Sequence, residues 1–148
     1  MKNLLVAQSG GPTAAINATL AGVVECALSS GQTDKIYGAV NGIEGVLSQR
    51  FIDLRQKLDS TEKLSLLCQT PAAALGSCRL KIQKREQLKA IAESLKKWEI
   101  SCFVYIGGND SMDTVDQLSA YLAEQGIEEI AVVGAPKTVD NDLMGTDH

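Results

Sequence analysis

The stretch Leu4-Leu5-Val6-Ala7-Gln8-Ser9-Gly10-Gly11-Pro12-Thr13 decides the fold. A continuous apolar run without polar alternation is the pattern of a strand covered on both faces, as in a parallel sheet, and the two glycines turn it. Pro12 and Thr13 suit a helix start, Ile16, Leu20, Val23, Val24 and Ala27 recur at helical spacing, and Gly31 suits the helix end. Strand, glycine turn and helix together make the opening unit of an α/β domain.

The same unit returns further along. Ile36 to Val40 reads as a second strand, Asn41-Gly42-Ile43-Glu44-Gly45 as a glycine-punctuated loop, and Phe51-Ile52-Asp53-Leu54 as another short strand. Asp59 and Glu62, three apart, predict a cap for a short helix through Leu67, which Thr70-Pro71 ends. From Lys84, the positions Leu88, Ile91, Ala92, Leu95 and Trp98 mark a helix with a charged outer face. Cys102 to Ile106 is a buried strand, Gly107 to Ser111 a tight turn, and Met112, Val115, Leu118 and Leu122 the inner stripe of a helix that Gly126 ends. Ile130 to Val133 is the last strand, and it delivers Gly134 to Asp142 to the same edge as the earlier glycine turns.

Alternating strands and helices imply an α/β fold with a doubly wound, mostly parallel sheet flanked by helices. In such folds ligands sit beyond the carboxyl ends of the strands, near the point where strand order reverses. The 148 residues are 45% hydrophobic and contain no repeat or linker, which predicts one domain over 1–148. A net charge of -4 argues against a broad surface for nucleic acid or anionic lipid, so any phosphate site is local. The apolar runs are too short for a signal peptide or a membrane span, and a cytoplasmic setting is expected. Cys26, Cys68, Cys78 and Cys102 have no paired spacing and His148 is the single histidine, so the cysteines read as small core residues.

Three turns bear polar groups suited to chemistry. Ser9 to Thr13 places glycines where the unpaired N–H groups of a helix start favour a phosphate, although a ligand-free turn fits this segment equally well. A dinucleotide site is disfavoured, because GxGxxG is absent and the strand near Ile36 does not end in an acidic residue. Gly107-Gly108-Asn109-Asp110-Ser111 repeats the geometry with a carboxylate and an amide; helix capping would explain the polar residues but not the paired glycines. Pro136-Lys137-Thr138-Val139-Asp140-Asn141-Asp142 is the most informative. In an extended segment Asp140 and Asp142 face one side, and their repulsion must be offset by a cation, by Lys137 or by protonation.

Gly10-Gly11, LGSCR at Leu75 to Arg79, GGNDSMDT at Gly107 to Thr114 and PKTVDND at Pro136 to Asp142 together resemble the phosphofructokinase family, in the family's order and over nearly the whole chain. The resemblance implies a phosphotransferase in which Asp140 is the general base, removing the C1 hydroxyl proton of fructose 6-phosphate as it attacks the donor. It implies that Thr138 and Asp142 act with Asp140 at the substrate, and that Gly10, Gly11, Arg79, Gly108, Asp110 and Ser111 line the donor phosphates. ATP-using members resemble GGDGS and PGTIDND, with glycines where this chain has Asp110 and Lys137. The Asp110 carboxylate would fill and repel the place of a nucleotide's α-phosphate, while Lys137 would neutralise a small inorganic donor and act beside Asp140. Pyrophosphate is therefore the expected donor, with ATP as the alternative and a noncatalytic phosphate-binding domain as the alternative of another class.

Magnesium (Mg2+) is the implied cofactor. Asn109 stands where an aspartate is common and is the candidate metal contact, an amide oxygen being a weaker ligand than a carboxylate. Members of the family are more than twice this length and take sugar-phosphate contacts from later segments and a neighbouring subunit. The expectation is that the carboxy-terminal sugar-binding portion is absent from this chain and that the parent enzyme is a homo-oligomer.

Overall fold

A computed structural model describes residues 2–137. Its elements are β1 (Lys2–Gln8), α1 (Ala14–Ser30), β2 (Thr33–Ala39), α2 (Gly42–Leu47), β3 (Phe51–Asp53), α3 (Leu54–Lys57), α4 (Thr61–Gln69), α5 (Arg85–Lys97), β4 (Ile100–Gly107), α6 (Asn109–Glu124) and β5 (Ala131–Pro136). They build a five-stranded sheet of order β3-β2-β1-β4-β5, parallel except for the antiparallel β3 at one edge.

The central strand shows why the fold is doubly wound. Along β1 every residue from Asn3 to Gln8 is buried, and successive side chains go to opposite faces. Leu5 and Ala7 join one core with Phe103, Tyr105, Ile91, Leu95 and Leu118. Leu4 and Val6 join the other with Ile16, Leu20, Val24, Val104 and Ile106. Helix α1 therefore covers one face and α5 with α6 the other. Each fully buried Leu, Ile or Phe contributes about 1.5–3 kcal/mol, which makes both layers necessary to the sheet.

This arrangement has one consequence for ligands. The connection through α1 leads from β1 to β2 on one side, while β4 adds on the other side of β1 beneath the opposite helical layer. Strand order reverses between β1 and β4, and a crevice opens beyond their carboxyl ends.

Several local expectations are corrected. The segment 41–45 is not a loop: Gly42–Leu47 is helical, because burying Ile43 and Val46 against the first core overrides the low helix propensity of two glycines. Helix α6 begins at Asn109, so Asn109, Asp110 and Ser111 form its first turn and not a preceding one. Helix α4 is capped by Ser60, whose hydroxyl accepts from Lys63 N at 3.3 Å, while Asp59 pairs with the Lys63 ammonium at 2.7 Å. That partner holds the Asp59 carboxyl below its usual range. Of the four cysteines only Cys78 is buried; Cys26 and Cys68 are exposed and Cys102 is half-buried. None of the four is in a disulfide, and no described helix is long and apolar enough to cross a membrane.

Candidate functional site

The crevice is a cleft of about 540 Å³. Its floor is the end of β1 and β4, one wall the segment through Cys78 to Lys81, the other the start of α6, with Lys137 reaching over from the end of β5. Gly10, Gly11, Arg79, Gly108, Asn109, Asp110, Ser111 and Lys137, eight residues singled out from the sequence, all line it. Thr138, Asp140 and Asp142 lie outside the described residues.

The three strand ends are tied directly to one another. Ser9 N donates to Ile106 O at 2.8 Å and Lys137 N donates to Gly107 O at 3.0 Å, so the turns after β1, β4 and β5 meet through backbone. Ser9 Oγ donates to Cys78 O at 3.1 Å and Ser77 Oγ donates to Gly10 O at 2.6 Å, which fastens the Arg79 segment to the first turn. Lys137 Nζ donates to the carbonyl of Gly11.

Two glycines are required here by space and conformation. Gly10 has φ +77, and a Cβ there would stand 3.2 Å from Lys137 Nζ. At Gly107 a Cβ would lie 2.1 Å from Ser111 Oγ. Gly10 and Gly107 therefore let the lysine and the first turn of α6 close over the strand ends, whereas a Cβ at Gly11 or Gly108 would meet nothing closer than 3.8 Å.

The described part of the cleft carries more positive than negative side chains, unlike the chain as a whole. Among the described residues the lining holds three cations, Arg79, Lys81 and Lys137, and one carboxylate, Asp110. Lys81 Nζ and Asp110 Oδ1 are 2.9 Å apart, joining the two walls. Helices α1 and α6 both start at the cleft and neither has a side-chain cap, whereas α3 and α4 are capped by Asp53 and Ser60. Amide groups at such ends, with the helix dipole behind them, suit an anion.

Beneath the cleft Tyr105 is buried, with its hydroxyl among Ser9, Ser111 and Cys78. Burial pushes its phenol up to about 12, an effect that hydrogen bonds with Ser9 and Ser111 only partly oppose. Ser111 itself is buried. The phenol is thus a neutral anchor for the floor at ordinary pH.

The sequence reading missed Lys81, Tyr105 and a buried amide pair, Gln8 and Asn17. Gln8 Nε2 donates to Asn17 Oδ1 at 2.9 Å and to Ile16 O at 3.1 Å, while Leu75 N donates to Gln8 Oε1 at 2.9 Å. Asn17 Nδ2 donates to Thr70 O and Ala72 O, both at 2.8 Å, and Asn17 Oδ1 accepts from Ala74 N at 2.9 Å. The pair thereby holds the 70–75 backbone against β1 and α1 and sets where Arg79 and Lys81 emerge. A signal was present, since Asn17 interrupts the apolar face beside Ile16 and Gln8 ends an apolar strand. Lys81 had no such signal among the chain's many lysines.

An open α/β sheet with glycine turns, two helix starts and three cations among the described residues at its switch point is an arrangement suited to an anionic ligand. The profile of the phosphofructokinase family matches residues 3–148, and the chain belongs to that family. It is 42% identical over 147 residues to pyrophosphate–fructose 6-phosphate 1-phosphotransferase of Rhodospirillum rubrum, covering 98% of this chain and 35% of that protein. The crystal structure of pyrophosphate-dependent phosphofructokinase from Nitrosospira multiformis superposes with a TM-score of 0.87 at 44% identity, covering 99% of this chain and 36% of that one. An ATP-dependent 6-phosphofructokinase of Glaesserella parasuis is 35% identical over 149 residues, covering 100% of this chain and 42% of that protein. The chain thus spans roughly a third of the length of the pyrophosphate-using relatives it matches.

Proposed function

We propose that this chain is the donor-phosphate domain of a pyrophosphate-dependent 6-phosphofructokinase. In that reaction the C1 hydroxyl oxygen of fructose 6-phosphate attacks one phosphorus of pyrophosphate, the bridging P–O bond breaks, and fructose 1,6-bisphosphate and phosphate leave. The reaction is expected to be reversible. The observation that carries the reading is the meeting of Asp110 and Lys137 at one cleft, since both replace glycines of the ATP-using pattern. The greater identity to pyrophosphate-using relatives than to the ATP-using one supports the same donor.

Each residue has a part in this reading. Amides at Gly11 and Gly108 and the Arg79 guanidinium bind the donor oxygens, with Gly10 shaping the turn that presents them and Ser111 behind them. The Lys137 ammonium, 3.2 Å from where a Gly10 Cβ would stand, neutralises charge that builds on the departing phosphate. Asp110 blocks the room a third phosphate would need. Asp140 takes the C1 proton, worth roughly 10²- to 10⁴-fold in rate, while Thr138 and Asp142 position the acceptor and donor around it.

Magnesium is expected with the donor. Among the described residues no group of three or more His, Cys, Asp or Glu is placed to hold a metal, and the cleft's carboxylate is engaged by Lys81. These residues therefore do not form a protein-held metal site, Asn109 is at most a single contact, and no step is routed through the ion. Sugar binding is assigned to the remaining length seen in relatives and to a neighbouring subunit, so the 148 residues by themselves are expected to show no turnover.

The test is fructose 1,6-bisphosphate formation by the full-length protein with fructose 6-phosphate and magnesium, supplied with pyrophosphate or ATP. Product with pyrophosphate alone is expected. Product with ATP alone would overturn the donor assignment, and product with neither would leave a binding domain without catalysis.

A further inference from the structure

The Lys81–Asp110 pair stands at the cleft mouth, where it links the segment that follows Arg79 to the first turn of α6. Its side chains are 60% and 63% exposed, so it adds little to stability; exposed pairs contribute no more than about 1 kcal/mol. Its effect lies in where the carboxylate is held and what charge it presents. An unpaired Asp110 would repel a highly charged inorganic donor as well as any longer one. Paired, it keeps its bulk in place with its charge offset.

We propose that Lys81 is a positioning residue for donor specificity: it fixes Asp110 across the cleft mouth and cancels that carboxylate's repulsion of the first two phosphates. Lys81 acts through Asp110 and not on the donor directly. Three features support this. The ammonium is within 2.9 Å of Oδ1, the two residues come from opposite walls, and the remaining cations, Arg79 and Lys137, are left to the donor oxygens. The inference rests on the donor reading given above, because it assigns Asp110 the same place in the cleft.

The experiment is a double-mutant cycle in the full-length protein with Lys81→Met, Lys81→Arg, Asp110→Asn and Lys81→Met/Asp110→Asn. Lys81→Met is expected to raise KM for pyrophosphate about two- to fivefold, the range of an exposed pair, with a smaller change in kcat. Lys81→Arg should restore most of the loss. In the Asp110→Asn background, Lys81→Met should change KM by less than about 1.5-fold, since no carboxylate remains to be offset. A loss of equal size in both backgrounds would show Lys81 acting on the donor by itself and would overturn the proposal, as would no loss in the wild-type background. Wild-type turnover, measured first, judges the donor reading separately. If ATP proves to be the donor, the same cycle read with ATP still tests whether Lys81 acts through Asp110.

Discussion

Replacing Asn17 with alanine should loosen the wall of the cleft without touching a residue that lines it. The side chain is fully buried and makes four hydrogen bonds, donating to Thr70 O and Ala72 O and accepting from Gln8 Nε2 and Ala74 N. Gln8 Nε2 keeps Ile16 O at 3.1 Å, and the exposed backbone at Ala72 and Ala74 can turn to water. The loss is therefore well below four full desolvation penalties. At about 0.5–1.5 kcal/mol net for each of the three bonds to backbone that are exchanged for water, Asn17→Ala should cost about 1.5–4.5 kcal/mol. This is a large part of the 5–15 kcal/mol that holds a typical domain together. The local assay is amide hydrogen exchange in the full-length protein, read at Leu75, whose N–H is held by Gln8 Oε1. With tenfold for each 1.4 kcal/mol, exchange there should quicken by about tenfold to a thousandfold. A Leu75 rate within about threefold of wild type would refute the reasoning, because it would show the 70–75 segment held by something other than the amide pair.

Two further outcomes are expected. Gly10→Ala puts a side chain at φ +77 and a methyl against Lys137 Nζ, so a stability loss of about 1–2 kcal/mol should accompany a raised KM for pyrophosphate; denaturant melts and steady-state kinetics check both, and an unchanged KM would show that Lys137 is not held there during binding. Tyr105, with its phenol raised to about 12, makes folding sensitive to alkali: the unfolded phenol ionises near 10 while the folded one stays neutral. Its contribution is complete below pH 10 and falls by about 2–3 kcal/mol as pH rises to 12, so Tyr105→Phe should flatten that part of the stability curve. Urea unfolding across pH 9–12, with phenolate absorbance recorded, measures it.

Much of the fold was legible because burial leaves a period in the sequence. The run Leu4 to Ala7 needed apolar cover on both faces, and the Ile16, Leu20, Val24, Ala27 spacing supplied one layer of it, so a parallel sheet followed from local pattern alone. The glycine turns and their polar residues could likewise be read, since a strand that ends in glycines before a helix leaves backbone amides open at that end. The same local pattern misread 41–45, where tertiary burial of Ile43 and Val46 made a helix from a segment that looks like a loop.

What tertiary structure alone decided is which residues, far apart in the chain, share the cleft. Lys81 and Asp110 are 29 positions apart and nothing in either's neighbourhood foretells an ion pair; it exists because the 70–81 segment is laid across the ends of β1 and β4. Gln8 and Asn17 lay that segment down through hydrogen bonds to backbone atoms, which carry no residue-specific signature in the sequence. Side-chain periodicity reports the burial of an element, whereas contacts between loops depend on how the elements are packed, and that packing is a property of the whole sheet.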